Sequence, residues 1–219
     1  MKAILSFLFL LLAAAIAFAD LTIVQKVSTS AIMGQPAHNG TVTMRIKGSK
    51  ARIDHKTVKT YQIIDLSSGN AYLVDPTQKR VTVLPIEMMK QAGNAILGAS
   101  GMNVNFQKTG RTQKIGAYRC EEYTMNATGM IKIAGTHWIT TDVKADEYGP
   151  FREFAESFLK GVKAQNVPKG VSIRSETRMN LMGQNMTSTT EVLSISRKSI
   201  PDSIFTLPPD FQKKEMPKP

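Results

Sequence analysis

The sequence predicts a mainly β protein carrying two helices (α+β), and three observations predict it. Short apolar runs alternate with polar residues at period two, most cleanly where Val42, Met44 and Ile46 oppose Thr41, Thr43, Arg45 and Lys47. Turn residues punctuate these runs, as in Ser67-Ser68-Gly69 and Asp75-Pro76-Thr77. One stretch breaks firmly to a helical period: between Tyr148 and Gln165, Phe151, Phe154, Ala155, Phe158, Leu159 and Val162 share a face that Arg152, Glu153, Glu156, Lys160 and Lys163 avoid. A helix with one greasy face needs a sheet to cover.

In chain order, Leu21 to Ser30 reads as a first strand, followed by a loop with Gly34, Pro36 and Gly40. The alternation from Thr41 to Lys47 resumes after Gly48 with Ala51 and Ile53 set against Arg52 and Asp54, which makes a hairpin apolar on one face. Tyr61 to Leu66, Asn70 to Asp75 and Arg80 to Leu84 extend it into a meander. After Pro85 the period changes, and Ile86, Met89, Gly93, Ile96 and Leu97 fit one face of a second helix that its glycines weaken by about 1 kcal/mol each. Strands return at Asn103 to Thr109, Arg111 to Ile115, Tyr118 to Asn126 and Ile131 to Thr141. A phase shift from Tyr118 and Cys120 to Tyr123 and Met125 predicts a bulge near Glu121-Glu122. The helix at Tyr148 to Gln165 opens on Pro150, has its acids early and its lysines late, and stops at Pro168-Lys169-Gly170. Val171 to Asn180 and Gln184 to Ser196 close the set, about eleven strands in all.

Ahead of this lies a leader. Met1 to Ala19 combines Lys2, an apolar run from Ile4 to Ala17 and a small-x-small site at Ala17-Phe18-Ala19, the pattern of a secretory signal peptide with cleavage before Asp20. Residues 20–212 then form one domain with no linker inside it, and 213–219 a charged tail without fixed structure. The expected location is the periplasm or the exterior. Net charge is +11 from 28 basic and 17 acidic residues. Outside the cytoplasm a basic surface meets anionic lipid head groups or an acidic envelope protein, and nucleic acid is not an expected partner. The same lysines also protect sheet edges.

Catalytic signatures are missing from the pattern. His38, His55 and His137 are scattered with no metal-ligand spacing, and Gly98-Ala99-Ser100-Gly101 is one residue short of a nucleophile elbow. Glu121 and Glu122 are adjacent on a strand, so they face opposite ways, as at a solvated edge. The single Cys120 reads as a buried thiol. Methionine is the oddity, with eleven beyond Met1; it suits surfaces that adapt to variable apolar partners, and it also fills ordinary core gaps.

The segment from Ile200 to Phe211, IPDSIFTLPPDF, resembles the closing segment of secreted proteins with the LolA/LppX-like half-barrel fold, among them a domain-of-unknown-function group. Gly48 to Asp54, Ile64 to Leu84 and Gly116 to Tyr123 resemble three strand motifs of the same family. The resemblance implies a curved antiparallel half-barrel, helices over its concave face, and an apolar cavity between them that in characterised members accepts lipid or lipoprotein acyl chains. On that expectation the chain is a monomeric, non-enzymatic carrier without cofactor or metal. Its apolar ligand would lie against Phe151, Phe154, Phe158 and Leu159 from one helix and Met88, Met89, Ile96 and Leu97 from the other. The alternative is a cell-envelope interaction protein whose helices only complete a packed core.

Overall fold

The computed structural model describes residues 20–31, 37–99, 101–129, 132–158, 162–181 and 184–216, with the side chains of residues 96–99, 145, 146 and 181 outside that description. The leader 1–19 lies outside it as well. Six strands come first: β1 (Leu21–Thr29), β2 (His38–Lys47), β3 (Lys50–His55), β4 (Tyr61–Asp65), β5 (Asn70–Asp75) and β6 (Arg80–Pro85). Helix α1 (Ile86–Ala99) leads to β7 (Asn103–Ile115), β8 (Tyr118–Thr128) and β9 (Lys132–Thr140). A 3-10 turn (Ala145–Tyr148) and α2 (Pro150–Ser157) lead to β10 (Lys163–Gln165), β11 (Val171–Leu181) and β12 (Gln184–Ser196). A second 3-10 turn (Asp202–Phe205) precedes β13 (Gln212–Glu215).

All thirteen strands join one open sheet in the order β10-β7-β8-β9-β11-β12-β1-β2-β3-β4-β5-β6-β13. The chain is mainly β with two α-helices, as its patterning predicts. Two strands lie beyond those expected, β10 and β13, which pair in parallel with β7 and β6. Both are too short to show an alternation, and both close an otherwise bare sheet edge. Lys213 to Glu215 therefore belong to the sheet, whereas the expectation left them in an unstructured tail.

Three further expectations need correction. Helix α2 is eight residues long, not eighteen, with Phe158 as its C-cap; Lys163 to Gln165 have been taken by the edge of the sheet. The two strands expected on either side of Gly110 are one strand, β7; the register shift lies between the pairing of Lys108 with Tyr123 and that of Thr112 with Glu121, at the expected bulge near Glu121-Glu122, with the extra residues on β7. Gly110 adopts a φ of 84°, which glycine reaches without strain, and β8 runs in regular register against β9. Finally, Glu122 is not a solvated edge residue but is 2% exposed, its carboxylate held by Arg111 Nε at 2.6 Å and Thr109 Oγ1 at 2.8 Å. Burial of that charge is tolerable because it is paired and hydrogen-bonded.

Register across β1 to β6 divides the sheet into two faces. On one, Leu21, Ile46, Ala51, Ile64, Ala71 and Leu84 stand side by side, with Ile23, Met44 and Ile53 in the next row. These residues form the main core together with Ile86 and Met89 of α1 and Phe151 and Phe154 of α2, so this is the helix-side face. On the opposite face lie Ile63, Val74 and Val81, each essentially inaccessible. The cover on that side is the C-terminal segment, a strap bonded to the sheet by Lys47 Nζ to the Ile200 carbonyl at 2.8 Å and Arg52 Nη1 to the Ile204 carbonyl at 2.9 Å. Asp20 accepts the Ile200 amide at 2.6 Å, and Phe205 is buried beneath the strap.

Candidate functional site

Beyond the core, the helix-side face continues onto the long strands. Register places Val104, Ala127, Ile133, Met179 and Met186 in one row and Phe106, Met125, Gly135, Thr177 and Ser188 in the next. A third row runs Lys108, Tyr123, His137, Ser175, Thr190 and reaches Val27 of β1, two pairs along from Ile23 on the same face. The reverse side carries Asn105, Gln107, Asn126, Glu176 and Arg178, all exposed. This alternation is what a sheet shows when one face meets an apolar phase and the other meets water. Yet Val104, Phe106, Met125, Ile133, Met179 and Met186 are only half-buried. The apolar wall is incompletely covered.

Glycine at 135 is set by packing rather than by φ: a Cβ there would come within 2.6 Å of the Glu176 carbonyl oxygen. His137, two residues on, stacks edge-on against Phe106 with ring centroids 5.9 Å apart. Its Nε2 is buried without a hydrogen-bond partner. Burial pushes the imidazole below its ordinary pKa, so the ring is neutral at neutral pH.

The two helices meet over this face. Phe151, Phe154 and Phe158 form an edge-to-face ladder, with centroid separations of 6.3 and 5.1 Å. Phe158 then lies against Gly93 of α1, so closely that a Cβ at Gly93 would stand 2.8 Å from Cδ1 of its ring. A cleft of about 470 Å3 opens between the first turns of the helices, floored by Leu66, Ile86 and Phe154 and rimmed by Glu87, Lys90 and Glu153. Asn94, next to Gly93, has its Oδ1 buried and unpartnered. An ion pair ties the 3-10 turn before α2 to the segment after β12: Arg197 forks onto Glu147 at 2.6 and 2.9 Å and holds that carboxyl below its ordinary range.

Of the expected ligand-contacting residues, Phe151 is buried in the core, Phe154 and Phe158 are half-buried on the ladder, and Met88 and Met89 are half-buried on α1. Leu159, and the side chains of Ile96 and Leu97, lie outside the described residues. The wall formed by Phe106, Met125, Met179 and Met186 was missed by sequence reasoning. Its signal is the period-two spacing of Val104 with Phe106 and of Tyr123 with Met125 and Ala127. Elsewhere, Glu121 pairs with Lys108 at 2.8 Å and does not converge with Glu122. Cys120 is fully buried, and its thiol is pushed up by desolvation and by Asp142, which opposes a reactive thiolate.

One family model matches residues 30–211, nearly the whole described chain; its description is Domain of unknown function (DUF4412). No curated protein matches the sequence. Among solved structures, PNGF-II aligns at 13% identity and TM-score 0.40 over 90% of this chain, which spans only 31% of that protein. A LolA superfamily protein from Nitrosomonas europaea aligns at 9% identity and TM-score 0.37, covering 86% of this chain and 90% of that one. A DUF1329 family protein from Desulfovibrio piger aligns at 8% identity and TM-score 0.39, covering 88% and 91%.

Proposed function

We propose, from the premise that the chain belongs to the family described as Domain of unknown function (DUF4412), that it is a non-enzymatic binding or carrier protein for a lipid, an acyl chain or another apolar ligand outside the cytoplasm. The observation that carries this reading is the half-buried apolar wall of Val104, Phe106, Met125, Ile133, Met179 and Met186 on the helix-side face. Large apolar side chains in two adjacent rows face one way, with a polar reverse side, and a ligand could complete their burial. Covering each large side chain is worth about 1.5–3 kcal/mol, whether the covering atoms belong to protein or to lipid. Methionines at Met125, Met179 and Met186 suit a surface that accepts chains of varying shape. Phe154, Phe158, Met88 and Met89 would close over the ligand from the helix side, and Phe151, Leu159, Ile96 and Leu97 complete the proposed set of contacts. In this reading the leader directs the chain across the membrane, the mature protein starts at Asp20, and the basic surface brings it to anionic lipid.

Native mass spectrometry of protein purified without detergent tests this. A stoichiometric apolar ligand is expected, and its load should fall in the Phe154→Ser, Phe158→Ser double variant while the far-ultraviolet spectrum is kept. A clean apo mass for the wild type, with no uptake of the neutral fluorophore N-phenyl-1-naphthylamine, overturns the reading. That result would favour the second one, an envelope interaction protein, which draws support from the self-packed ladder of Phe151, Phe154 and Phe158.

A further inference from the structure

We infer that the ligand of the helix-side wall is an amphiphile, a long apolar chain ending in an oxygen-bearing head group that hydrogen-bonds to Nε2 of His137. The inference rests on the apolar-ligand reading and narrows its chemical class. Three observations converge on it. His137 lies in the middle strand of the five that build the wall, flanked by Tyr123 on β8 and Ser175 on β11 in its own row. Its ring stands edge-on to Phe106, so the imidazole sits at the margin of the apolar rows. And its Nε2 is buried with no partner, although leaving a buried polar atom unpaired is destabilising.

The neighbouring polar groups do not relieve that cost. The hydroxyl of Tyr123 is engaged with Glu121 at 3.3 Å, and Lys108 with the same carboxylate at 2.8 Å. A purely hydrocarbon ligand would leave Nε2 unpaired. A hydroxyl head satisfies it in either tautomer, because a neutral imidazole nitrogen donates or accepts according to where its proton lies, and the hydroxyl can do the complementary task. The chain of such a ligand would run from His137 over Phe106 and Met125 towards Ile133, Met179 and Met186, where the face is apolar in consecutive rows.

Two uncharged probes of equal chain length and the same double bond isolate the head group: oleyl alcohol and cis-9-octadecene, each titrated as a displacer of N-phenyl-1-naphthylamine from the full mature chain. The wild type should bind the alcohol about tenfold more tightly than the alkene, the size of one hydrogen bond to an otherwise unpaired buried group. His137→Phe, which keeps an aromatic ring against Phe106, should bring the two to parity by weakening the alcohol alone. His137→Gln should recover part of the preference. Equal binding of both probes by the wild type, or a preference that survives in His137→Phe, overturns this inference and leaves the apolar-ligand reading standing. Failure of the fluorophore to bind the wild type at all overturns both.

Discussion

The two faces of β1 to β6 are covered in different ways. On the strap side, a segment with little regular structure is bonded at Ile200, Ile204 and Gln212 to Asp20, Lys47, Arg52 and the Lys79 carbonyl. Lys47 adds an ion pair to Asp202 at 3.0 Å, and Arg52 stacks on Tyr61 at 3.8 Å while pairing with Asp54. On the helix side, regular helices lie on the sheet through Ile86, Met89, Phe151 and Phe154, and through the seam of Phe158 on Gly93. Directional bonds fix the strap in one place, whereas apolar contacts are non-directional and can be exchanged for contacts with a ligand at little cost. The contrast leads to the expectation that the irregular cover stays in place and the regular cover is the one that opens.

The largest expected effect strikes the strap. Phe205→Ala removes a buried ring and should cost about 3–5 kcal/mol in urea unfolding, with ligand uptake by the folded fraction unchanged. Arg52→Ala comes next, since it cuts the bond to the Ile204 carbonyl and the stack on Tyr61 together; a loss of about 1–3 kcal/mol is expected in the same assay. If either variant abolished uptake by protein still folded, the division between the two covers would fail.

These contrasts show which parts of the molecule were readable beforehand. The hairpins, α1 and the sheet-covering helix follow from periodicity, because each needs only neighbours a few residues apart. The ends of α2 do not: Lys163 to Gln165 fit the helical pattern but gain backbone partners at the β7 edge, so tertiary pairing overrode local preference. The strap was visible as a motif at Ile200 to Phe211, but its bonds to Lys47 and Arg52 span some 150 residues, and no local pattern encodes them. The candidate site divides similarly. Phe154 and Phe158 announce themselves by helical spacing, whereas Met125, Met179 and Met186 come together only once the register of β8, β9, β11 and β12 is known. His137 looked like one of three scattered histidines for the same reason.

Smaller effects sharpen the comparison on the helix side. Gly93→Ala should change overall stability by less than about 1 kcal/mol, because the gain in helix propensity opposes the contact with Phe158. It should nevertheless part the seam, and faster uptake of N-phenyl-1-naphthylamine in stopped-flow fluorescence would report that. Slower uptake would mean the seam does not gate access. The smallest effect belongs to the ion pair at Glu147. Its folded-state pKa is depressed by Arg197, so the stabilisation is present above the ordinary glutamate value and is lost as pH falls through the folded value. Arg197→Ala should cost about 0.5 kcal/mol at pH 7, measured by urea unfolding, and progressively less as pH falls through the folded value.

Hydrogen exchange read by mass spectrometry, with and without oleyl alcohol, tests most directly the claim that one cover opens and the other does not. Peptides from α1 and α2 should exchange faster than those spanning β13 and its β6 partner in the free protein, and should slow when the alcohol is added. Peptides from β13 and β6 should exchange at the same rate in both samples. Equal protection of the two covers, unchanged by the alcohol, would contradict the account.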